Sequence, residues 1–280
     1  MYTHILAAVN EYSNSEQAAR YALGLAKVCG ARLTLVFAAA PGSTREVLHQ
    51  GEAAVQRLFE EGLAQGLEVE SVVRAGQPLA VIRELVHTTK VNLAFAATRH
   101  EDLSRRFFLK TLARDLMLRL PCSVALVRVV HPGRLHPRRI LVPFRGRLTK
   151  VAERAAFVAL LARAFEARVT LFHAPGSLTD FFRGERLLSP EEREASAPRD
   201  MERFIAALDS FHIPHEDRLG RGRVATAITV EAAVRRSDLI VMGASERGLV
   251  ASLLAGNPVE EVMRHTPCNF IMFLPRLPAP

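Results

Sequence analysis

The chain has 280 residues, 49% of them hydrophobic and 24% charged, a globular composition long enough for two domains of roughly 100–200 residues each. No apolar run approaches the roughly 18 residues needed to cross a bilayer, so no membrane span is expected. A net charge of +8, from 37 Lys+Arg against 29 Asp+Glu, suits a small anionic ligand, but Trp is absent and no basic run is interleaved with aromatics, so nucleic acid is not an expected partner.

The N-terminal residues lead straight into Ile5-Leu6-Ala7-Ala8-Val9 without the basic and apolar regions of an export signal, so a cytoplasmic location is expected. The apolar run 3–9 reads as a strand, followed by a helix over 14–29 with Ser13-x-x-Glu16 as a capping box. Strands over 32–38, 68–74, 92–97 and 123–129 then alternate with helices over 45–65, 78–88 and 112–119. Strict alternation builds a parallel sheet covered by helices on both faces, through right-handed crossovers.

The second half repeats the first. Leu120-Pro121-Cys122 answers Thr266-Pro267-Cys268, and Asn92-Leu93-Ala94 answers Asp238-Leu239-Ile240, both 146 residues apart. Nearer the start the spacing is shorter: Ala31-Arg32-Leu33-Thr34-Leu35 answers Ala167-Arg168-Val169-Thr170-Leu171, 136 residues on. The second copy therefore gains about ten residues, expected as a loop-like insertion around 175–200, with a helix start at Ser189-Pro190-Glu191-Glu192. Expected domains are 1–130 and 140–280, each able to bury its own core, joined by the Pro- and Gly-punctuated basic linker 131–139.

Cys29, Cys122 and Cys268 show no CxxC spacing and read as buried thiols, neither a disulfide framework nor a zinc site. His212-x-x-His215-Glu216-Asp217 matches no zinc template and is expected along a strand edge, so no metal is predicted. Neither a nucleophile elbow nor a P-loop lysine nor HExxH occurs, and no catalytic residue is assigned. Arg105-Arg106-Phe107-Phe108 reads as a partly buried loop, and 224–235 as an ordinary surface helix.

In open parallel sheets, ligands sit at the C-terminal strand ends where strand order reverses. In the second copy that edge joins Val142, Pro143 and Arg145 to the stretch 243–257. There Gly243 ends an apolar strand, and Asn257-Pro258-x-Glu260 starts a helix whose N–H groups and dipole favour an anion. Gly243 and Gly256 serve equally well as turn and helix-start residues, and both readings stand at this point.

On these residues the whole chain resembles a tandem universal stress protein. The marker of that family is G-x-x-G, nine residues, then G-S or G-T after the fourth strand, with an Asp ending the first strand and a Pro-Cys before the last. The resemblance implies two doubly wound parallel five-stranded sheets in the order 3-2-1-4-5, Rossmann-like three-layer α/β/α units repeated in tandem. It also implies pairing through the last strands, as an intramolecular pseudo-dimer and as a homodimer, and a role in stress survival or signalling rather than turnover.

By the same resemblance, ATP or AMP would lie in the second copy against Val142, Pro143, Arg145, Gly243, Ser245, Arg247, Gly256 and Asn257. The marker positions there read Gly243, Glu246, Gly256 and Asn257, so one glycine has become an acid and the hydroxyl an amide. In the first copy they read Ala97, His100, Lys110 and Thr111, with Asn10 at the Asp position. A Glu246 side chain opposes a polyphosphate by charge and bulk, whereas Arg145, Arg147 and Arg247 could pair with one. The alternative reading is a nucleotide-independent interaction protein whose degenerate pocket holds another ligand or none.

Overall fold

The computed structural model describes residues 2–98, 111–133, 136–144, 149–173, 199–220, 222–244 and 258–276. In the first half, strands β1 (His4–Val9), β2 (Arg32–Ala39), β3 (Val69–Ala75), β4 (Leu93–Ala97) and β5 (Ser123–Arg128) alternate with helices α1 (Ser13–Cys29), α2 (Arg45–Ala64), α3 (Pro78–Thr88) and α4 (Leu112–Arg119). In the second, β6 (Arg139–Phe144), β7 (Arg168–His173), β8 (His215–Leu219), β9 (Leu239–Gly243) and β10 (Asn269–Leu274) alternate with α5 (Val151–Ala164), α6 (Arg199–Ser210), α7 (Val224–Val234) and α8 (Pro258–His265).

Local chemistry explains most boundaries. α1 stops at Gly30, whose left-handed backbone (φ 60°) lets its N–H reach Ala26 O and Lys27 O. Thr44 and Thr111 cap α2 and α4 by accepting from Val47 N and Arg114 N, each at 3.3 Å. The capping box expected at Ser13 does not form: Tyr12 is the N-cap and makes no side-chain cap bond. Ser15 takes over the turn instead, accepting from Asn10 N at 2.9 Å and donating toward Tyr12 O at 2.8 Å. Ser189-Pro190-Glu191-Glu192 and the 175–200 insertion, up to the start of α6, lie outside the described residues.

The strands form one ten-stranded sheet in the order β3-β2-β1-β4-β5-β10-β9-β6-β7-β8. Within each half this is the expected 3-2-1-4-5. The two expected sheets are fused, however, because β5 and β10 pair with each other and are antiparallel, whereas the other pairings are parallel. The register sets Leu126 opposite Met272, residues one repeat of 146 apart, so a pseudo-twofold axis passes between them. Side-chain clamps obey the same axis: Val130 N donates to Asn269 Oδ1 at 2.8 Å, and Arg276 N, one repeat on, donates to Ser123 Oγ at 3.0 Å. The Arg276 guanidinium also reaches the carbonyls of Met117 and Leu120 at the end of α4.

Each core is shared by both halves, against the expectation that each half buries its own. Alternation along β1 sends Ile5, Ala7 and Val9 to one face, under α1, α2, α5 and α6, and Leu6 to the other, under α3, α4, α7 and α8. On the first face α1 lies against α5, and Gly24 keeps room for the Phe165 ring, whose Cζ would be 2.7 Å from an added Cβ. Tyr21 meets Phe165 edge-on at 5.6 Å, while Phe157 stacks on Phe273 at 3.9 Å and 3°. The outer strands β3 and β8 carry charged residues at largely exposed positions, which discourages further edge pairing.

Candidate functional site

The C-terminal ends of β6, β9 and β10 enclose a pocket in the second half, lined by Val142, Pro143, Phe144, Val241, Gly243 and Phe273 from the strands, Arg154 and Val158 from α5, and Phe204 from α6. The strand residues reach it because the first strand and the fourth are neighbours, which is the switch point of this fold. The helix residues face inward because Arg154 and Val158, four apart, share one stripe of α5.

Arg154 dominates the chemistry. The residue is 6% exposed, and its Nε donates to Thr149 O at 2.7 Å, Nη1 to Phe273 O at 3.2 Å and Nη2 to Ala244 O at 2.6 Å. All three acceptors are backbone carbonyls, and among the described residues no carboxylate pairs with the guanidinium. Burial pushes its pKa down to about 10, against a smaller upward pull from Glu153, so it remains a cation at neutral pH. Three of the five guanidinium N–H groups are spent and two are left over.

The guanidinium lies on Gly243. A Cβ built there would overlap Nη1, so the glycine that ends β9 makes room for Arg154. The surface that such a glycine would present to a polyphosphate is therefore already covered. Of the residues expected at the site, the structure brings together Val142, Pro143 and Gly243; Arg145, Ser245, Arg247, Gly256 and Asn257 lie outside the described residues. Sequence reading missed Arg154, Val158, Phe204 and Phe273. The signal for Arg154 was present: at the 136-residue spacing it answers Ala18, so a charge stands where the first copy buries an alanine.

The first half keeps the frame and not the cation. Thr98 N donates to Val127 O, and Ala244 N donates to Phe273 O one repeat later, each at 2.8 Å. Asn10, at the Asp position of the family marker, turns its Oδ1 back to Tyr12 N at 3.0 Å. Thr111, at the marker hydroxyl, is spent on capping α4.

His215 donates its Nδ1–H to Ile213 O at 3.0 Å and stands half-buried at the start of β8. Among the described residues no group of three or more His, Cys, Asp or Glu could hold a metal, and no helix is long and apolar enough to cross a membrane. Arg105-Arg106-Phe107-Phe108 lies outside the described residues.

A model of the Universal stress protein family matches residues 1–128 and 137–273. The chain belongs to that family. A universal stress protein of Thermus aquaticus, from the 3′ region of a QAH/OAS sulfhydrylase, is 35% identical over 141 residues, which is 48% of this chain and 97% of the relative. Among solved structures, a universal stress protein from Archaeoglobus fulgidus superposes with a TM-score of 0.66 at 17% identity, covering 96% of this chain and 95% of the other. A functionally unknown protein from Pseudomonas aeruginosa PAO1 gives 0.62 at 17% identity, over 98% and 93%. These last two likenesses speak for the fold, and membership of the family makes the chain a stress-response module.

Proposed function

We propose that the chain is a regulatory binding module of the stress response and that its second half holds the ligand, a small anion meeting Arg154 in the strand-end pocket. The observation that carries this is a buried arginine, 6% exposed, whose guanidinium bonds three backbone carbonyls and pairs with no described carboxylate. A buried cation without a counter-charge costs stability that an anion would return. The module has no catalytic step. Its domains are 1–130 and 140–280, with 131–139 as linker and 175–200 as an insertion. The three free cysteines suit the reducing cytoplasm.

The most specific form of this reading is an adenine nucleotide, ATP or AMP, with Val142 and Pro143 near the base and Arg145, Gly243, Ser245, Arg247, Gly256 and Asn257 around the phosphates. The competing form is an interaction protein that needs no nucleotide, and the Arg154–Gly243 contact favours it. A homodimer would use another surface, because the two last strands are already paired with each other. Isothermal titration with ATP, AMP and inorganic phosphate separates these forms. Heat with nucleotide alone supports the first and heat with a simple anion alone supports the second, while silence toward every anion overturns the anion site.

A further inference from the structure

We infer that the strand-start edge of the second half is a docking surface for an acidic segment of another protein, one that carries aliphatic side chains among its carboxylates. The surface joins Arg139, Arg168, Arg235 and Arg236 to the exposed valines of α7. It lies at the opposite end of the strands from the Arg154 pocket and does not depend on what that pocket holds.

Backbone pairing brings the arginines together. Arg168 N donates to Arg138 O and Asp238 N to Arg139 O, each at 2.9 Å, so the starts of β6, β7 and β9 lie side by side. The end of α7 closes onto the same corner, where Ser237 N donates to Ala232 O at 2.8 Å after a left-handed turn at Arg236 (φ 50°). Ile140 and Val169 face the core under α5 and α6, so alternation puts Arg139 and Arg168 on the side that α7 covers. Val230 and Val234, one helical turn apart and exposed, lead up to Arg235.

The chain's own carboxylates do not cancel this charge. Arg235 pairs with Glu231 at 3.2 Å, but Arg139 reaches Asp238 only at 3.8 Å, and Asp238 also accepts from Arg138 N and Arg139 N. Among the described residues no carboxylate pairs with Arg168 or Arg236. The first copy supplies the contrast. Its Arg32, which answers Arg168, is met by Glu70 at 2.6 Å and Glu68 at 3.7 Å. One repeat of 146 on, those acids become Glu216 and Pro214, and Glu216 turns to Arg218 at 3.3 Å. His4, Thr89, Glu84 and Thr88 likewise answer Arg139, Arg235, Val230 and Val234. Basic charge and exposed aliphatic surface thus coincide in the second copy and not in the first.

Carboxylates along a partner segment would meet these guanidinium groups in charge-assisted pairs, while its aliphatic side chains cover Val230 and Val234. A nucleic acid would set phosphates against the valines and find no aromatic side chain among these residues on which to stack a base. A lipid surface takes a helix with a broad face of bulky apolar residues, which two valines do not make.

The test uses the full chain and a fluorescein-labelled helical peptide of Glu and Leu, with Leu at i, i+3 and i+4 positions, read by fluorescence anisotropy. Peptides with Gln for Glu or Ser for Leu, single-stranded DNA and phosphatidylserine vesicles serve as comparisons. The wild type is expected to bind the Glu/Leu peptide about tenfold or more tighter than either altered peptide, and more weakly as salt rises. Arg168→Glu/Arg236→Glu and Val230→Glu/Val234→Thr are each expected to weaken binding about tenfold or more. All four residues are exposed, so the urea midpoints should stay near that of the wild type. Should one pair fail to fold, the other carries the test. Lys90→Glu, at the first-copy counterpart of Arg236, is expected to leave binding unchanged. Equal binding of the Gln or Ser peptide, full binding by a folded double variant, or no binding by the wild type overturns the proposal. Tighter binding of DNA or vesicles than of the peptide overturns it too, as does self-association of the free chain that the valine variant removes.

Discussion

Arg154 and Gly243 occupy each other's space: the guanidinium lies on the glycine so closely that a Cβ would overlap Nη1, and from there it bonds the carbonyls of Ala244 and Phe273. One side chain thus ties α5 to the ends of β9 and β10. The glycine of the family marker serves here as the seat of an arginine.

Gly243→Ala should therefore push the guanidinium off its carbonyls and cost about 1–3 kcal/mol, the usual penalty for overpacking or for stranding a buried polar group. Because the two residues act through one contact, the double variant Gly243→Ala/Arg154→Ala should lose less than the sum of the single losses. Urea denaturation of the four proteins checks this. Additive losses would show that the contact carries no energy.

Asn269 sits on the seam at 1% exposure, accepting from Val130 N and His131 N and donating to the Tyr21 hydroxyl at 3.1 Å. Asn269→Ala strands those backbone donors and should cost roughly 2–4 kcal/mol. Its repeat counterpart Ser123 accepts from Arg276 N, and Ser123→Ala should cost about 0.5–1.5 kcal/mol. Thermal or urea melts giving the two variants equal losses would contradict the asymmetry.

Burial pushes the Tyr21 phenol up from 10.0 to about 12, with the bond from Asn269 pulling the other way. Below pH 10 both folded and unfolded chains keep the proton. Between about 10 and 12 the unfolded chain ionises and the folded one does not, so stability falls as pH rises, by roughly 2–3 kcal/mol at the upper end. Tyr21→Phe should lack that fall, so the slope should appear in the stability difference between the two proteins. Parallel stability curves across this window would refute it.

The outer face of α7 is apolar where the repeat predicts otherwise: Val230 is 53% and Val234 70% exposed, at the positions of exposed Glu84 and Thr88 in α3. Restoring the first-half residues, Val230→Glu with Val234→Thr, should change stability by no more than about 0.5 kcal/mol. A larger loss, dependent on protein concentration, would show that this face is covered by a second copy.

The repeat made the fold legible. Strand starts and ends at Val9, Ala97, Ser123 and Gly243 follow from apolar runs cut by turn chemistry, and helices starting after Thr44 and Thr111 follow from their caps. The antiparallel β5–β10 seam was foreseen only through the family resemblance, because the pairing partner of an apolar strand leaves no local mark in its residues. Its consequence, cores that run across both halves, followed from Phe157 and Tyr21 reaching beyond their own repeats. The site was half legible. Gly243, Val142 and Pro143 stand out as strand-end residues, but Arg154 lies on a helix that reads as a buried stripe, and only side-by-side comparison with Ala18 marks its charge as out of place. The 224–235 segment reads in sequence as an ordinary surface helix, and its exposed valines emerge only once the face under it is known.

The central claim is that Arg154 holds a small anion in the second half of the chain. Mass spectrometry of small molecules released from freshly purified protein tests it most directly. The expected result is a small anion released in amounts approaching one per chain from the wild type and absent from Arg154→Met. Release of an adenine nucleotide, undiminished in Arg154→Met, would contradict it.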